Sequence, residues 1–236
     1  RYNVGQRATF KISATRGKIS GYDNWYSDKP ENQLRNLHFE SVLWDFSTGV
    51  DINLRLLDRK AQKGFVPYIT TGLAVFKYNP TAQFHYDVNS WHNTPTNGYT
   101  TLAGRDGEWV NLQNLSTEGQ QTAEYNDLKR YSLTQLAVPV GLGLKCYMSR
   151  SWMIALEYAV RITFTDHLDD VSGKYAEPFY IESQYTPMAS AMADPGPLQH
   201  ETGSARGNSS NKDRYSIFGV SLTYRLVTSK VKCFQF

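Results

Sequence analysis

The sequence predicts an all-β fold, a small antiparallel transmembrane β-barrel, and three observations carry that prediction. Apolar and polar residues alternate along six segments of the chain. The connections between those segments are alternately long and short. No stretch of the sequence approaches the roughly 18 uninterrupted apolar residues of a transmembrane helix, so any membrane crossing must be made by strands.

Alternation is clearest in two segments, 42–56 and 152–164. Their even positions are mostly apolar or aromatic, and their odd positions are mostly polar or small. Because successive side chains of a strand point to opposite faces, each segment has one oily face and one polar face. The same pattern predicts four more strands, over 8–14, 65–79, 133–147 and 218–226. Pro67 and Pro139 lie inside two of these, where proline ordinarily indicates an edge strand or a bulge.

Connection lengths predict which ends of the strands share a side. If every strand crosses, three long loops lie together, near 21–37, 87–130 and 166–213. The short turns near 57–64 and 148–151 then lie on the other side. Bacterial outer-membrane barrels have this asymmetry, with long extracellular loops and short periplasmic turns. We therefore predict an outer-membrane barrel over 1–226 and a periplasmic tail over 227–236.

The number of strands and the state of the interior follow from this topology. The first residues look like the end of a strand entering a turn, so we expect about eight strands in the intact protein, with the first hairpin absent here. Barrels of about eight strands have interiors just filled by side chains, so passive conduction is not expected. We predict that the charges of the polar face pair inside, namely Asp51, Arg55, Glu157, Arg161 and Arg225.

A soluble lipocalin-type carrier would also alternate, with its oily face turned inward around a ligand. Trp152 and Phe164, at opposite ends of one strand, instead resemble the aromatic belts of a membrane barrel. We therefore favour the membrane barrel and keep the carrier as an alternative. Nucleic-acid binding is not expected, because the 25 basic and 22 acidic residues are spread along the chain without a basic run.

Catalytic and metal chemistry has weak support. Asp166-His167-Leu168-Asp169-Asp170, with Ser172, could be a Ca²⁺ loop or part of a hydrolase triad, but neither spacing fits well. We interpret its carboxylates as caps of turn amides or partners of loop cations, and expect no catalytic, cofactor or metal site. An outer-membrane hydrolase remains an alternative. We interpret His38, His85, His92 and His200 as solvated, and the apolar residues of 109–120 as a loop core or, less favoured, a partner surface.

Several short stretches resemble a known family. They are Arg35 to Ser41, Phe65 to Tyr68, Gly72 to Pro80, Trp109 to Gln113, Thr117 to Gln120, Thr163 to Ser172 and Lys230 to Phe236. Together they resemble the PorG-type outer-membrane β-barrels of the Bacteroidota type IX secretion system. The resemblance covers nearly the whole chain. It departs from the family at the beginning, where a signal peptide and an initial hairpin are missing.

The resemblance implies a non-enzymatic secretion component, without cofactor, in the bacterial outer membrane. Its partners would be outer-membrane lipid and the periplasmic ring of a PorK-like lipoprotein with a PorN-like subunit. Such systems export proteins that carry a C-terminal sorting domain, and they support gliding motility in some relatives.

The short-turn side would then be the docking surface. We predict a basic rim that contacts the ring lipoprotein, formed by Arg59, Lys60, Lys63, Arg150, Lys230 and Lys232. Cys233 would pack against that lipoprotein or bond to it, or bond to Cys146, which lies near the end of its strand on the same side. An unpaired thiol is the third interpretation.

Overall fold

Six long strands follow the six segments of alternation and form one antiparallel sheet. The computed structural model describes residues 1–5, 7–23, 34–56, 63–93, 98–149 and 151–224. The strands are β1 (Tyr2–Asn3), β2 (Ala8–Tyr22), β3 (His38–Asn53), β4 (Gly64–Lys77), β5 (Pro80–Gln83), β6 (Trp109–Asn111), β7 (Thr134–Tyr147), β8 (Trp152–Thr163) and β9 (Arg214–Tyr224). The predicted all-β class is confirmed. The first long strand continues to Tyr22, beyond residue 14, where the clear alternation of the sequence stops.

Neighbours in the sequence are neighbours in the sheet. Its order is β1-β2-β3-β4-β7-β8-β9, with β5 paired to β3 and β6 paired to β5. Within the described residues, no ladder joins β9 to β1 or β2. The sheet nevertheless curls around a common interior, because Lys11 of β2 reaches Glu157 of β8 at 2.7 Å.

Two prolines lie in central strands, so neither marks an edge. The carbonyl of Pro67 accepts the N–H of Leu54, just past the end of β3. The nitrogen of Pro67, which carries no hydrogen, faces that same end of β3. Pro139 lies in a gap of the β4–β7 ladder, between the pairs Thr71–Val140 and Ala74–Ala137. The register is the same on both sides of this gap. Both prolines are therefore accommodated where a ladder hydrogen bond is already lost.

The long loops contain more regular structure than the sequence indicated. Loop 87–130 holds a 3-10 helix (Tyr99–Arg105), β6 and the one-turn helix α1 (Leu112–Leu115). Loop 166–213 holds α2 (Pro178–Gln184) and α3 (Pro187–Ala193). Each of α2 and α3 begins with proline, whose fixed φ suits the first turn of a helix. Thr186 caps α3 by accepting the N–H of Ala189 at 3.1 Å.

The sheet is apolar outside and polar inside. Ile12, Leu73 and Phe218, on the outward face, expose 72%, 65% and 69% of their surface. On the inward face, Asp45 and Asp51 are 0% exposed. This distribution is the reverse of that in a soluble protein, where carboxylates are almost never fully buried. Among the described residues, no helix combines the length and the apolar character needed to span a membrane.

Apolar side chains are buried in two main places. One cluster lies among the loops and joins β5, the 3-10 helix, α1 and α3 through residues such as Phe84, Tyr99, Leu112 and Met188. The other fills the interior near the long-loop end of the strands, where Phe76 contacts the ring of Tyr215 at a centroid distance of 5.3 Å. The loops therefore form a packed cap over one end of the sheet.

Candidate functional site

Charged side chains from four strands meet inside the sheet. The ammonium of Lys11 lies 2.7 Å from a carboxylate oxygen of Glu157 and 3.4 Å from Asp51. Lys145 lies 3.6 Å from Asp51, and its ammonium donates to Asn53 at 2.8 Å. Two ammonium groups thus face two carboxylates. We call Lys11, Asp51, Lys145 and Glu157 the interior charge cluster.

A tyrosine and a glycine complete the packing around this cluster. The hydroxyl of Tyr68 donates to Glu157 at 2.8 Å, and the ammonium of Lys145 lies 4.5 Å from the centre of the Tyr68 ring. Gly143 provides the space for that ring, since a Cβ at residue 143 would lie 2.2 Å from a Tyr68 ring carbon. Arg1 adds a third cation, whose guanidinium donates to Asp51 at 3.0 Å.

A second charged pair lies nearer the long-loop end. Arg161 donates to Asp45 at 3.0 Å, and the hydroxyl of Tyr215 donates to the same carboxylate oxygen at 2.8 Å. The other oxygen of Asp45 is buried without a hydrogen bond. The predicted pairing of interior charges therefore holds for Asp51, Glu157 and Arg161.

The two other predicted interior charges have different outcomes. Arg55 lies beyond the end of β3 and is exposed, so its predicted interior pairing is wrong. The alternation of 42–56 runs past the last residue of the ladder, and sequence alone does not mark that end. Arg225 lies outside the described residues.

A third charged cluster holds the two longest loops together. Glu118 accepts the N–H groups of Ser172 and Gly173 at 2.8 and 2.9 Å. The guanidinium of Arg206, fully buried, donates to Glu118 at 3.3 Å and to the carbonyl of Asp170 at 2.6 Å. We call Glu118, Asp170 and Arg206 the loop clamp. It joins loop 87–130 to loop 166–213.

Carboxylates of the clamp region are desolvated. Asp170 accepts the hydroxyls of Thr117 and Tyr131, each at 2.5 Å. Burial raises the pKa of Asp170 to about 6, although Arg206 opposes that rise. Burial, together with the charge of Asp213, raises the pKa of Asp169 to about 7. These groups therefore titrate well above the usual range for Asp.

The Asp-His segment serves the fold of this cap. Asp169 accepts the N–H of Val171 at 3.0 Å, which is the turn-capping role that the sequence indicated. Ser172 is engaged through its own N–H with Glu118, and the ring of His167 stacks on Tyr131 at 4.5 Å. Within the described ranges, no group of three or more His, Cys, Asp or Glu residues is placed to hold a metal ion.

Of the four histidines interpreted as solvated, three are more enclosed than the sequence indicated. His92 is 3% exposed, and its Nε2 lies 3.1 Å from the carbonyl of Asp194, while burial lowers its pKa. Nδ1 of His200 lies 2.7 Å from the Asp194 carboxylate. His38 is half-buried and accepts the N–H of Gln83 at 3.1 Å. The solvated interpretation is wrong for these three and fits His85, which is exposed.

The apolar residues of 109–120 form the predicted loop core. Val110 and Leu112 are buried in the cluster with Met188 of α3, and Leu115 packs against it. Trp109 stays 47% exposed. What the sequence did not reveal is the loop clamp, although Glu118 belongs to one of the stretches that carry the family resemblance.

The short-turn end has an open cavity of about 300 Å³ at the mouth of the interior. Its lining comes from β1, β2, β7, β8, β9 and the turn before β8, and includes Arg1, Lys145, Tyr147, Ser151 and Trp152. Positive charge, hydroxyl groups and aromatic rings are therefore all present at this mouth.

The predicted docking residues are only partly described. Lys63 is exposed beside the start of β4. Cys146 is half-buried on the outward face, in register between Phe65 and Ile154, and forms no disulfide within the described residues. The remaining predicted rim and disulfide residues lie outside the described residues, namely Arg59, Lys60, Arg150, Lys230, Lys232 and Cys233. Their docking role stays a prediction.

The fold and these clusters define a class of protein: an antiparallel sheet with an apolar exterior, a charged interior and a capped end. The chain belongs to the family described as domain of unknown function (DUF6089), whose model matches residues 1–97 and 110–235. The unmatched stretch between those ranges contains the 3-10 helix of the cap. No curated protein matches the chain, and no solved structure matches it.

Proposed function

We propose that this protein is a non-enzymatic barrel of the bacterial outer membrane that anchors a periplasmic protein ring of the type IX secretion machinery. The observation that carries the proposal is the reversed polarity of the sheet. Phe65, Leu73 and Val220 expose 63%, 65% and 66% of their surface outward, while Asp51 and Lys145 are buried inside. An exterior of this kind is stable in lipid and aggregates in water.

The height of the apolar exterior agrees with a membrane. On β4 the outward positions from Phe65 to Val75 carry no charge. At about 3.3 Å per residue this run measures roughly 33 Å along the strand, or about 25 Å across the bilayer at the usual strand tilt. The hydrophobic band of outer-membrane barrels has this height. A carrier of the lipocalin type would instead direct these side chains inward.

The interior supports an anchor more than a channel. The interior charge cluster pairs each carboxylate with an ammonium group, and Tyr68 fills the space beside it. The loop clamp and the loop core cover the long-loop end of the sheet. Buried charges that pair with one another need no water to compensate them, which supports an anchor.

The ring-anchoring role rests on the family resemblance and on the short-turn end. The stretches Arg35 to Ser41 and Thr163 to Ser172 carry that resemblance, and both lie in the described part of the chain. At the opposite end, Arg1 and Lys145 line an open cavity, and Lys63 is exposed beside the start of β4. That end would face the periplasm, where the PorK-like lipoprotein and the PorN-like subunit would dock.

Two measurements test this function in order. Outer-membrane fractionation followed by electrophoresis with and without heating should show a heat-modifiable band, as for a stable barrel in detergent. Crosslinking in cells followed by mass spectrometry should then recover a periplasmic ring lipoprotein linked to residues of the short-turn side. A heat-modifiable band without any such crosslink would contradict the anchoring role, while still supporting a membrane barrel.

A further inference from the structure

A cationic row crosses the outward face of the sheet at its long-loop end. The strand register places Arg16 of β2, Trp44 of β3 and Lys77 of β4 side by side. All three side chains are exposed. The next row toward the short-turn end is apolar throughout, with Ala14, Phe46 and Val75. The row of Arg16, Trp44 and Lys77 therefore marks the boundary of the apolar exterior.

The two cations of this row, Arg16 and Lys77, have no carboxylate partner within the described residues. The guanidinium of Arg16 lies 5.5 Å from the centre of the Trp44 ring, on the same outward face. Lys18, two residues further along β2, is instead paired with Glu40 at 2.6 Å, and Tyr22 donates to the other oxygen of that carboxylate at 2.9 Å. Local pairing thus neutralises Lys18 and leaves Arg16 and Lys77 open to an external anion.

The spacing of the two open cations suits one phosphate group. One strand, β3, separates Arg16 from Lys77, so their backbones lie about 10 Å apart, two strand spacings, which both long side chains can bridge from opposite sides. Trp44 lies between them, and an indole ring is favoured at the level of lipid headgroups. A guanidinium binds two phosphate oxygens at once, and an ammonium adds a point charge.

At the opposite end of the exterior, the described residues include an uncharged aromatic pair. There the outward residues Trp152 and Tyr224 face each other across β8 and β9, with ring centroids 4.9 Å apart. Both are uncharged, so they can belong to an aromatic belt without recognising an anion.

We propose that Arg16, Trp44 and Lys77 form a binding site for the phosphate of an anionic glycolipid of the lipid A type. The site rests on the proposed function, because only a barrel with its long loops outside presents this row to the outer leaflet. The lipid's phosphate would bridge Arg16 and Lys77, and its acyl chains would cover the apolar rows below.

The test uses the full chain in nanodiscs of phosphatidylcholine, with a small fraction of either lipid A or fully dephosphorylated lipid A. Native mass spectrometry counts the glycolipid molecules that stay bound. We expect the wild type to retain phosphorylated lipid A, and the double substitution Arg16→Ala with Lys77→Ala to bind it about tenfold more weakly. Lys129→Ala with Lys212→Ala removes two exposed loop lysines of the same side and should retain the lipid as the wild type does.

Each contrary outcome has a distinct meaning. The site is contradicted if the wild type retains the phosphorylated and dephosphorylated lipids equally, or if the Arg16 and Lys77 double variant retains phosphorylated lipid A as well as the wild type does. Neither result contradicts the membrane barrel. Saturation of the site by inorganic phosphate alone, without preference for the lipid, also overturns the site. Failure of the wild type to enter nanodiscs overturns the proposed function itself, and heat-modifiability of each variant shows that its barrel is folded.

Discussion

The interior charge cluster and the loop clamp both bury ion pairs, but they are built in different ways. In the interior, Lys11, Asp51 and Glu157 are inward positions of regular strands, so the alternation that forms the sheet also brings them together. In the loop clamp, Arg206 meets Glu118 across 88 residues of chain. Its geometry depends on irregular backbone, such as Asp170 with a φ of 68°. The comparison shows that one arrangement follows from the strand period and the other from the particular course of two loops.

The largest expected effect separates the two clusters directly. Arg206→Leu leaves Glu118 and the backbone carbonyl of Asp170 without their buried cation, and the loss of one partner of a buried pair costs about 3–5 kcal/mol. Hydrogen exchange should increase throughout loops 87–130 and 166–213, while the strands keep their protection. Lys129→Ala is the matched control at an exposed loop position. Equal loss of protection in β3 and β4 would mean that cap and sheet form one cooperative unit.

A rise in pH should also destabilise the cap, without any substitution. The folded-state pKa values of Asp169 and Asp170, about 7 and about 6, lie above the unfolded value near 4. Protons therefore bind more tightly to the folded cap, and their stabilising contribution is complete below about pH 4 and lost as the pH rises through 6 and 7. Amide hydrogen exchange in the cap, corrected for the intrinsic dependence of exchange on pH, should therefore become faster between pH 5 and pH 8. Asp169→Asn should weaken that dependence, and an unchanged pH profile in this variant would contradict the assignment.

A smaller change tests the packing of the interior. Gly143→Ala places a methyl group 2.2 Å from the Tyr68 ring and should destabilise the folded sheet by about 1–3 kcal/mol, the usual cost of overpacking. The temperature at which the heat-modifiable band converts to the unfolded band should fall. Adding Tyr68→Leu removes the clash and should recover part of the loss. Gly219→Ala, where a Cβ meets nothing within 4 Å, is the control for an inward glycine.

The smallest expected effect lies in the cap. Thr186→Ala removes the side chain that accepts the N–H of Ala189 at the start of α3. Loss of such a cap costs about 1 kcal/mol. Protease sensitivity should rise near α3 only, while Thr186→Ser, which keeps the hydroxyl, should behave as the wild type. Equal protease sensitivity of the Ala and Ser variants would show that the Thr186 hydroxyl contributes nothing measurable to the stability of α3.

The sequence predicted the sheet well because its signal repeats along every strand. The even positions of 42–56 and 152–164 were assigned to one oily face, and Trp44, Phe46 and Tyr158 do face outward. The ends of strands were less accurate, as the exposed Arg55 shows, since alternation can continue past the last ladder bond. The extension of β2 to Tyr22 was missed because Arg16, Gly17 and Lys18 break the apolar pattern at the boundary of the exterior.

The cap was beyond prediction for a physical reason. Its contacts join residues such as Thr117 and Asp170, 53 positions apart, through side chains that no short-range pattern relates. Burial of His92 likewise depends on the carbonyl of Asp194, in another loop. Pattern did identify 109–120 as a loop core, because apolar residues in a polar loop need a place to pack. The docking rim stays a prediction, since most of its residues lie outside the described ranges.

The central claim is that the outward face of the sheet lies in lipid and the inward face does not. Nitroxide labels on cysteine at consecutive positions 218, 219 and 220 of β9 test it, in a chain whose Cys146 and Cys233 are replaced by serine. Phe218 and Val220 are exposed outward, whereas Gly219 lies opposite Glu157 in the β8–β9 register and has room for a side chain. The chain is reconstituted in lipid vesicles, where molecular oxygen concentrates in the bilayer. Oxygen should therefore accelerate the spin relaxation of the labels at 218 and 220 far more than that of the label at 219. Equal relaxation of all three labels by a water-soluble nickel chelate would contradict the claim.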